Sequence, residues 1–227
     1  RSTLFPYTTL FRSETLKDVD IKVPFICENG SVLVTKSGNI VYNDCMDSLQ
    51  ITRLIYALYN DYKFEFLAYV DLTTHKYKFL KGKKELSEDL TQPWFYSEEI
   101  YDDVDDFLNS IDKNNVCRIT TRGLECDMKR DKKIFNDFHV VVSENEFHSI
   151  CNNGTDKGFG VKKLVEFCNM NLEDVIVIGN DMNDIDMFKL DCGLKIATGI
   201  LFSKFLYTIS CFIVGFLCNL DKVTKFI

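Results

Sequence analysis

Basic runs, histidines and paired cysteines are all scarce in this chain of 227 residues, and each scarcity removes a class of function. Lys+Arg number 27 against 34 Asp+Glu, for a net charge of −7. The only basic clusters, Lys81 to Lys84 and Lys129 to Lys133, are short and interrupted. Nucleic acid is therefore not an expected partner, because binding it takes a basic face that offsets phosphate charge. The three histidines, His75, His139 and His148, are scattered, so neither a zinc site nor a Ser/His/Asp triad has much to build on. The nine cysteines (Cys27, Cys45, Cys117, Cys126, Cys151, Cys168, Cys192, Cys211, Cys218) are odd in number and contain no C-x-x-C pair. They read as free thiols of a cytoplasmic protein rather than a disulfide framework. With 46% hydrophobic and 27% charged residues, the chain is an ordinary globular one and not a disordered one.

The length suits one substantial domain or a core with a smaller domain inserted in it. Residues 1–13, RSTLFPYTTLFRS, show neither alternation nor helical period and carry no apolar targeting core. They resemble the in-frame translation of a sequencing-library adapter and are expected to be foreign, with the natural frame continuing upstream in different residues. Without residues 1–13, which include Arg1 and Arg12, the chain has 227 − 13 = 214 residues and a net charge of 25 − 34 = −9.

Along the rest, an apolar run at Val23 to Cys27 leads into Glu28-Asn29-Gly30, a tight-turn signal because Asn and Gly tolerate positive φ. Strand-like Ser31 to Thr35 and Asn39 to Asn43 follow as a hairpin. A helix is expected over Ser48 to Asn60, then strands at Phe64 to Val70 and Lys76 to Phe79. Ile100, Val104, Phe107, Leu108 and Ile111 recur at helical spacing, with Asp102, Asp103, Asp105 and Asp106 forming a solvated face. Val116 to Thr120 and Phe138 to Val142 read as strands. Val161, Leu164, Val165 and Cys168 mark a helix after the Gly154 to Gly158 loop. Val175 to Ile178 does not alternate and is expected to be a strand buried on both faces. A short helix at Asp184 to Leu190 and a strand at Leu194 to Ala197 complete an α/β crossover pattern, for which a parallel sheet is the natural closure.

The sharpest motif is Gly179-Asn180-Asp181-Met182-Asn183-Asp184-Ile185-Asp186-Met187. It crowds oxygen ligands at the carboxyl end of a strand, where open α/β sheets bind their ligands. Hard oxygen donors there suit Mg²⁺ with a substrate phosphate. A plain polar turn accounts for part of the text, since Asn183 or Asp184 is a good helix cap. About twenty residues upstream, Lys157 stands before a helix, where its ammonium can neutralise phosphoryl oxygens.

These features together resemble the haloacid dehalogenase-like (HAD) phosphatases, in their Cof-like branch. The matching text is Glu28-Asn29-Gly30-Ser31, Lys157-Gly158 with its helix, and Gly179 to Met187, similar to the family's G-D-x-x-N-D loop. The resemblance implies an α/β fold: a Rossmann-like parallel-sheet core with an inserted α+β cap. It divides the chain into a core fragment at 14–44, a cap at 45–144 and the core at 145–227. It implies Mg²⁺, held by Asn180, Asp181 and Asp184, and an aspartate nucleophile that forms a phospho-aspartate. Lys157 would be catalytic, Asn29, Gly30 and Asn183 would bind the phosphate of a small metabolite such as a sugar phosphate, and the cap would select it. Two departures stand out. Asn180 replaces the family's first metal-ligating aspartate. The D-x-D-G-T motif that carries the nucleophile is missing, and Asp18-Val19-Asp20 lacks both the strand before it and the Gly-Thr after it. The chain is therefore expected to be a fragment, itself inactive, of an active phosphatase. A catalytically silent binding or regulatory protein of the same family is the alternative, favoured by Asn180.

Phe205 to Leu220 runs sixteen residues without a charge, close to the roughly 17–25 that a membrane helix needs. Its Thr208, Ser210, Gly215 and Asn219, and the even spread of flanking lysines, favour a closing core strand and helix over a membrane anchor. Ile200 to Cys211 is apolar where the family has a polar helix, which a local frameshift would explain.

Overall fold

The computed structural model describes residues 23–35, 37–74, 77–86, 99–127, 131–142 and 146–197. Residues 1–13, Asp18 to Asp20 and the apolar tail from Ile200 lie outside them.

Among the described residues, three sheets carry the fold. The first is antiparallel, in the order β1 (Phe25–Cys27), β2 (Val32–Val34), β3 (Ile40–Asn43). The turn between β1 and β2 holds Glu28 at φ 51°, Asn29 at 57° and Gly30 at 104°, so the Asn-Gly signal marks a real left-handed turn. Helix α1 (Ser48–Asp61) follows, capped by Asp47, whose Oδ1 accepts from the Leu49 and Gln50 amides at 2.9 and 3.1 Å. Ile51, Leu54, Ile55 and Leu58, spaced to share one helix face, are all buried.

That face packs on the second sheet, ordered β6-β5-β4-β7-β9-β8. Its strands are β4 (Phe66–Val70), β5 (Tyr77–Lys81), β6 (Glu99–Tyr101), β7 (Arg118–Arg122), β8 (Phe138–Val142) and β9 (Phe147–Asn152). Only the β5–β6 pair is parallel. Helix α2 (Val104–Ser110) covers the same face beside α1, burying Val104, Phe107 and Leu108 with Leu67, Tyr69, Leu80, Ile119 and Ile150. A one-turn helix, α3 (Lys132–Phe135), precedes β8. The sheet takes in β9 and so extends past residue 144 to Asn152. The helical period expected from Ile100 begins only at Val104, because Asp103 caps there and Ile100 sits on edge strand β6, exposed. The acidic run does face solvent: Asp102, Asp103, Asp105 and Asp106 are all exposed.

Helix α4 (Lys157–Phe167) then leads to β10 (Ile176–Gly179), a short α5 (Ile185–Phe188) and β11 (Leu194–Ala197), which pairs parallel with β10. Val161 and Val165 of α4 pack on Val175, Val177 and Met187. Strand β10 is not buried on both faces: Val177 is 4% exposed, but Ile176 is 42% and Ile178 52% exposed. Among the described residues only the α4 side is covered, so a non-alternating apolar run still yields an alternating burial pattern. The α/β class expected from the sequence is the one found, with a parallel pair flanked by helix and a mixed sheet beside it.

Candidate functional site

The site grows from two helix starts brought face to face. Asp156 caps α4 through Oδ1, which accepts the Phe159 amide at 2.7 Å. That cap fixes the first turn and puts Lys157 at its first position. On the other side, β10 ends at Gly179 and the chain turns into a tight helical turn at Met182–Asp184. Asp181 caps that turn, its Oδ1 accepting the Met182 amide at 2.6 Å, and Asp184 stands at the N-cap position of the α5 that follows, as expected, without a side-chain cap bond there. Asp184 answers reciprocally, its Oδ2 accepting the Asn180 and Asp181 amides at 2.8 and 3.1 Å.

Glycine makes the approach possible. A Cβ on Gly179 would fall 2.6 Å from Asp184 Cβ and 2.8 Å from its carboxylate. A Cβ on Gly158 would fall 2.5 Å from the Asp186 carbonyl oxygen, so α4 and α5 are nearly in backbone contact. Gly30 does the same from the first sheet: a Cβ there would meet the Asp156 carbonyl oxygen at 2.0 Å.

Lys157 closes the gap. Its Nζ donates to Asp184 Oδ1 at 2.5 Å and to Asn183 Oδ1 at 3.1 Å. The Lys157 and Asp184 side chains are 12% and 6% exposed. Burial pulls the Lys157 pKa below the ordinary lysine value, and the Asp184 charge partly restores it. The sequence-expected residues Lys157, Asn183 and Asp184 are thus one bonded cluster, with Asn180 and Asp181 joined to it through their amides. Gly30 reaches the cluster by backbone contact with Asp156. The Asn29 side chain, also expected at the site, is instead buried beside the Cys151 thiol.

The oxygen donors of Asn180, Asp181, Asn183 and Asp184 lie in one loop and are hard ligands of the kind Mg²⁺ takes, with one or two carboxylates and the rest water. Both Asp184 oxygens are already engaged, one by the ammonium and one by two amides. Asp181, whose Oδ1 takes the Met182 amide, and the exposed Asn180 add further hard oxygens to the same loop, so the donor chemistry of the set fits Mg²⁺. The charge balance also favours a cation: with the Arg118–Glu28 pair nearby cancelling, Asp156, Asp181, Asp184 and Asp186 stand against Lys157 and Lys189, four carboxylates to two ammonium groups. A phosphate dianion entering that field without a metal would meet net repulsion.

One contact was not legible in the sequence. His139, on edge strand β8 of the second sheet, has Nε2 3.6 Å from Asp186 Oδ2. Its ligand atoms and those of Asp156 and Asp186 all lie within 4.8 Å of one another. Asp156 and Asp186 each also bond locally, to the Phe159 amide and to Lys189. No local pattern signals a pairing between a strand histidine and a helix aspartate far along the chain.

A family model described as haloacid dehalogenase-like hydrolase matches residues 9–199. A phosphoglycolate phosphatase of Picrophilus torridus is 39% identical over 66 residues, which span 29% of this chain and 28% of that protein. An uncharacterized protein of Mycoplasma capricolum is 24% identical over 190 residues, 73% of this chain and 63% of its own length. This chain therefore covers less than two thirds of each of these relatives. Among solved structures, a haloacid dehalogenase-like hydrolase from B. subtilis superposes with a TM-score of 0.63 at 14% identity, covering 84% of this chain and 74% of that one. A HAD subclass IIB sugar phosphatase gives 0.62 at 14% identity, covering 82% and 67%. By its match over residues 9–199, the chain belongs to the haloacid dehalogenase-like hydrolase family.

Proposed function

We propose that the cluster at the start of α4 is the phosphoryl site of a Mg²⁺-dependent phosphoric monoester hydrolase acting on a small phosphorylated metabolite, in the cytoplasm. The observation that carries this reading is the buried Lys157 ammonium, held on Asn183 and Asp184 at the positive end of an 11-residue helix. A desolvated ammonium attracts an anion more strongly than a solvated one, because less water screens it. Asp184 holds that ammonium in place and ties down the Asn180 and Asp181 amides, so the loop is shaped before any ligand arrives. Asn183 Oδ1 holds the same ammonium from a second side. Mg²⁺, held by Asp181 and Asn180, would supply the charge that lets a phosphate dianion enter and that stabilises the phosphoryl oxygens. The second sheet comes close through His139, which supports reading its edge as the side that would meet a substrate's organic part. The names of the relatives support the same class: a phosphoglycolate phosphatase and a sugar phosphatase both act on small phosphate esters. The nucleophilic aspartate is not assigned to a residue of this chain.

A binding or regulatory protein is the second reading, on the strength of the neutral Asn180. Phosphorus NMR of inorganic phosphate titrated with the chain, with and without Mg²⁺, tests the shared site. Broadening or shift of the phosphate signal that requires Mg²⁺ is the expected result. Binding indifferent to Mg²⁺ would remove the metal from the account, and no binding in either condition would remove the phosphoryl site.

A further inference from the structure

Two thiols meet where the chain passes from the first sheet to the second. Cys45 lies between β3 and α1, Cys117 directly precedes β7, and their Sγ atoms are 2.9 Å apart. The two backbones are held alongside each other by the Met46 amide, which donates to the Val116 carbonyl at 2.9 Å. The Ser31 hydroxyl fixes the Cys117 carbonyl from the other side at 3.2 Å. A backbone hydrogen bond between the residues next to the two cysteines holds the segments within the ~4.4–6.8 Å of Cα separation that a disulfide spans, since antiparallel neighbours lie about 4.5–5.5 Å apart. From 2.9 Å, the sulfurs need to close by only about 1 Å to reach the ~2.05 Å bond.

The two partners differ as an attacking and a resolving thiol should. Cys45 is half-buried and Cys117 buried. Hydrogen bonding from Cys117 pulls the Cys45 pKa down, and the same bond with burial pushes Cys117 far up. Burial raises the neighbouring Cys27 and Cys151, the latter to about 11, so they stay protonated.

We propose that Cys45 and Cys117 form a reversible oxidation site at which a peroxide drives disulfide formation. The Cys45 sulfur attacks a peroxide oxygen and the O–O bond breaks. Sulfur is oxidised to the sulfenic acid, and the departing oxygen takes a proton and leaves as water when the oxidant is hydrogen peroxide. The Cys117 sulfur then attacks the Cys45 sulfur, the S–O bond breaks, and the Cys117 proton leaves with the hydroxyl as a second water. Two thiols and one hydrogen peroxide thus give one disulfide and two waters, and a thiol reductant reverses the change. The bond would tie the segment leaving the first sheet to the start of β7. Asp44, beside Cys45, also takes hydrogen bonds from Asn152 and Thr155 on the returning connection. The clip therefore sits at the crossing between the two sheets, where it would restrict motion of one against the other.

The test exposes the reduced full chain to graded hydrogen peroxide, quenches with N-ethylmaleimide in denaturant, and maps the unreduced peptides by mass spectrometry. The expected result is joint loss of the alkylated Cys45 and Cys117 peptides, a matching linked pair lighter by two hydrogens, and full return with dithiothreitol. Cys45→Ser should abolish the link and leave Cys117 alkylated. The wild-type map decides by itself if that variant fails to fold. A Cys45 that stays alkylated while other cysteines oxidise, or that links to any cysteine other than Cys117, would overturn the proposal.

Discussion

Replacing Gly30 with alanine probes the contact that seats the first sheet against the start of α4. Gly30 has φ +104°, and an added Cβ would lie 2.0 Å from the Asp156 carbonyl oxygen and 2.7 Å from its carbon. The backbone strain alone is worth about 1–3 kcal/mol for a residue with a side chain. The clash is with backbone rather than a flexible side-chain end, so α4 must shift, adding an overpacking cost of about 1–3 kcal/mol. The total is about 2–6 kcal/mol. Gly38 provides the control: its φ is +85°, but nothing lies within 4 Å of its virtual Cβ. Gly38→Ala should therefore show only the backbone cost of about 1–3 kcal/mol. Thermal and urea unfolding of both variants measure the difference, at about 2–4 °C of melting temperature per kcal/mol for a chain of this size. The same shift of α4 moves Lys157, so phosphate binding should weaken in Gly30→Ala and not in Gly38→Ala. Equal destabilisation by the two substitutions would refute the close approach.

Three further outcomes follow from buried groups. Arg118 Nε is 2.9 Å from Glu28 Oε2, with both side chains buried, so Glu28→Ala should destabilise by about 3–5 kcal/mol. Adding Arg118→Met should recover part of that loss in a double-mutant cycle read by urea unfolding. Leu58→Ala, in the core between α1 and the second sheet, should cost about 2–5 kcal/mol in the same assay. Burial holds the His148 pKa below its ordinary value. The unfolded chain then binds a proton near pH ~6.5 that the folded chain refuses, so stability rises with pH through that window and falls as pH drops below it. His148→Phe should flatten that slope, and an unchanged slope would show that His148 is not its source.

The parts legible in the sequence were those with a local signature. The amphipathic period of α1, the Asn29-Gly30 turn, Lys157 before its helix and the oxygen-rich loop after Gly179 can each be read from neighbouring residues. What was not legible depends on residues far apart. Strand β9 joins the second sheet because Arg118 to Arg122 pair with it, which no feature of Phe147 to Asn152 announces. Ile178 is as apolar as Val177, yet only the tertiary neighbours decide which of them is covered. The Asp186 contact of His139, the Glu28–Arg118 ion pair and the Cys45–Cys117 contact likewise join distant segments. The extra helical turn that Asp181 caps ahead of α5 was not legible, because Asp181, Asn183 and Asp184 are all good caps and only the hydrogen bonds of the folded loop separate their roles.

The central claim is that the buried Lys157 ammonium receives a phosphoryl group. Titration calorimetry of inorganic phosphate with Mg²⁺ into the wild-type chain and Lys157→Met tests it most directly, with circular dichroism confirming that the variant is folded. A charge-assisted hydrogen bond of about 1.5–3 kcal/mol predicts phosphate affinity lower by roughly 10- to 150-fold in the variant. Equal affinity in the two folded proteins would contradict the account.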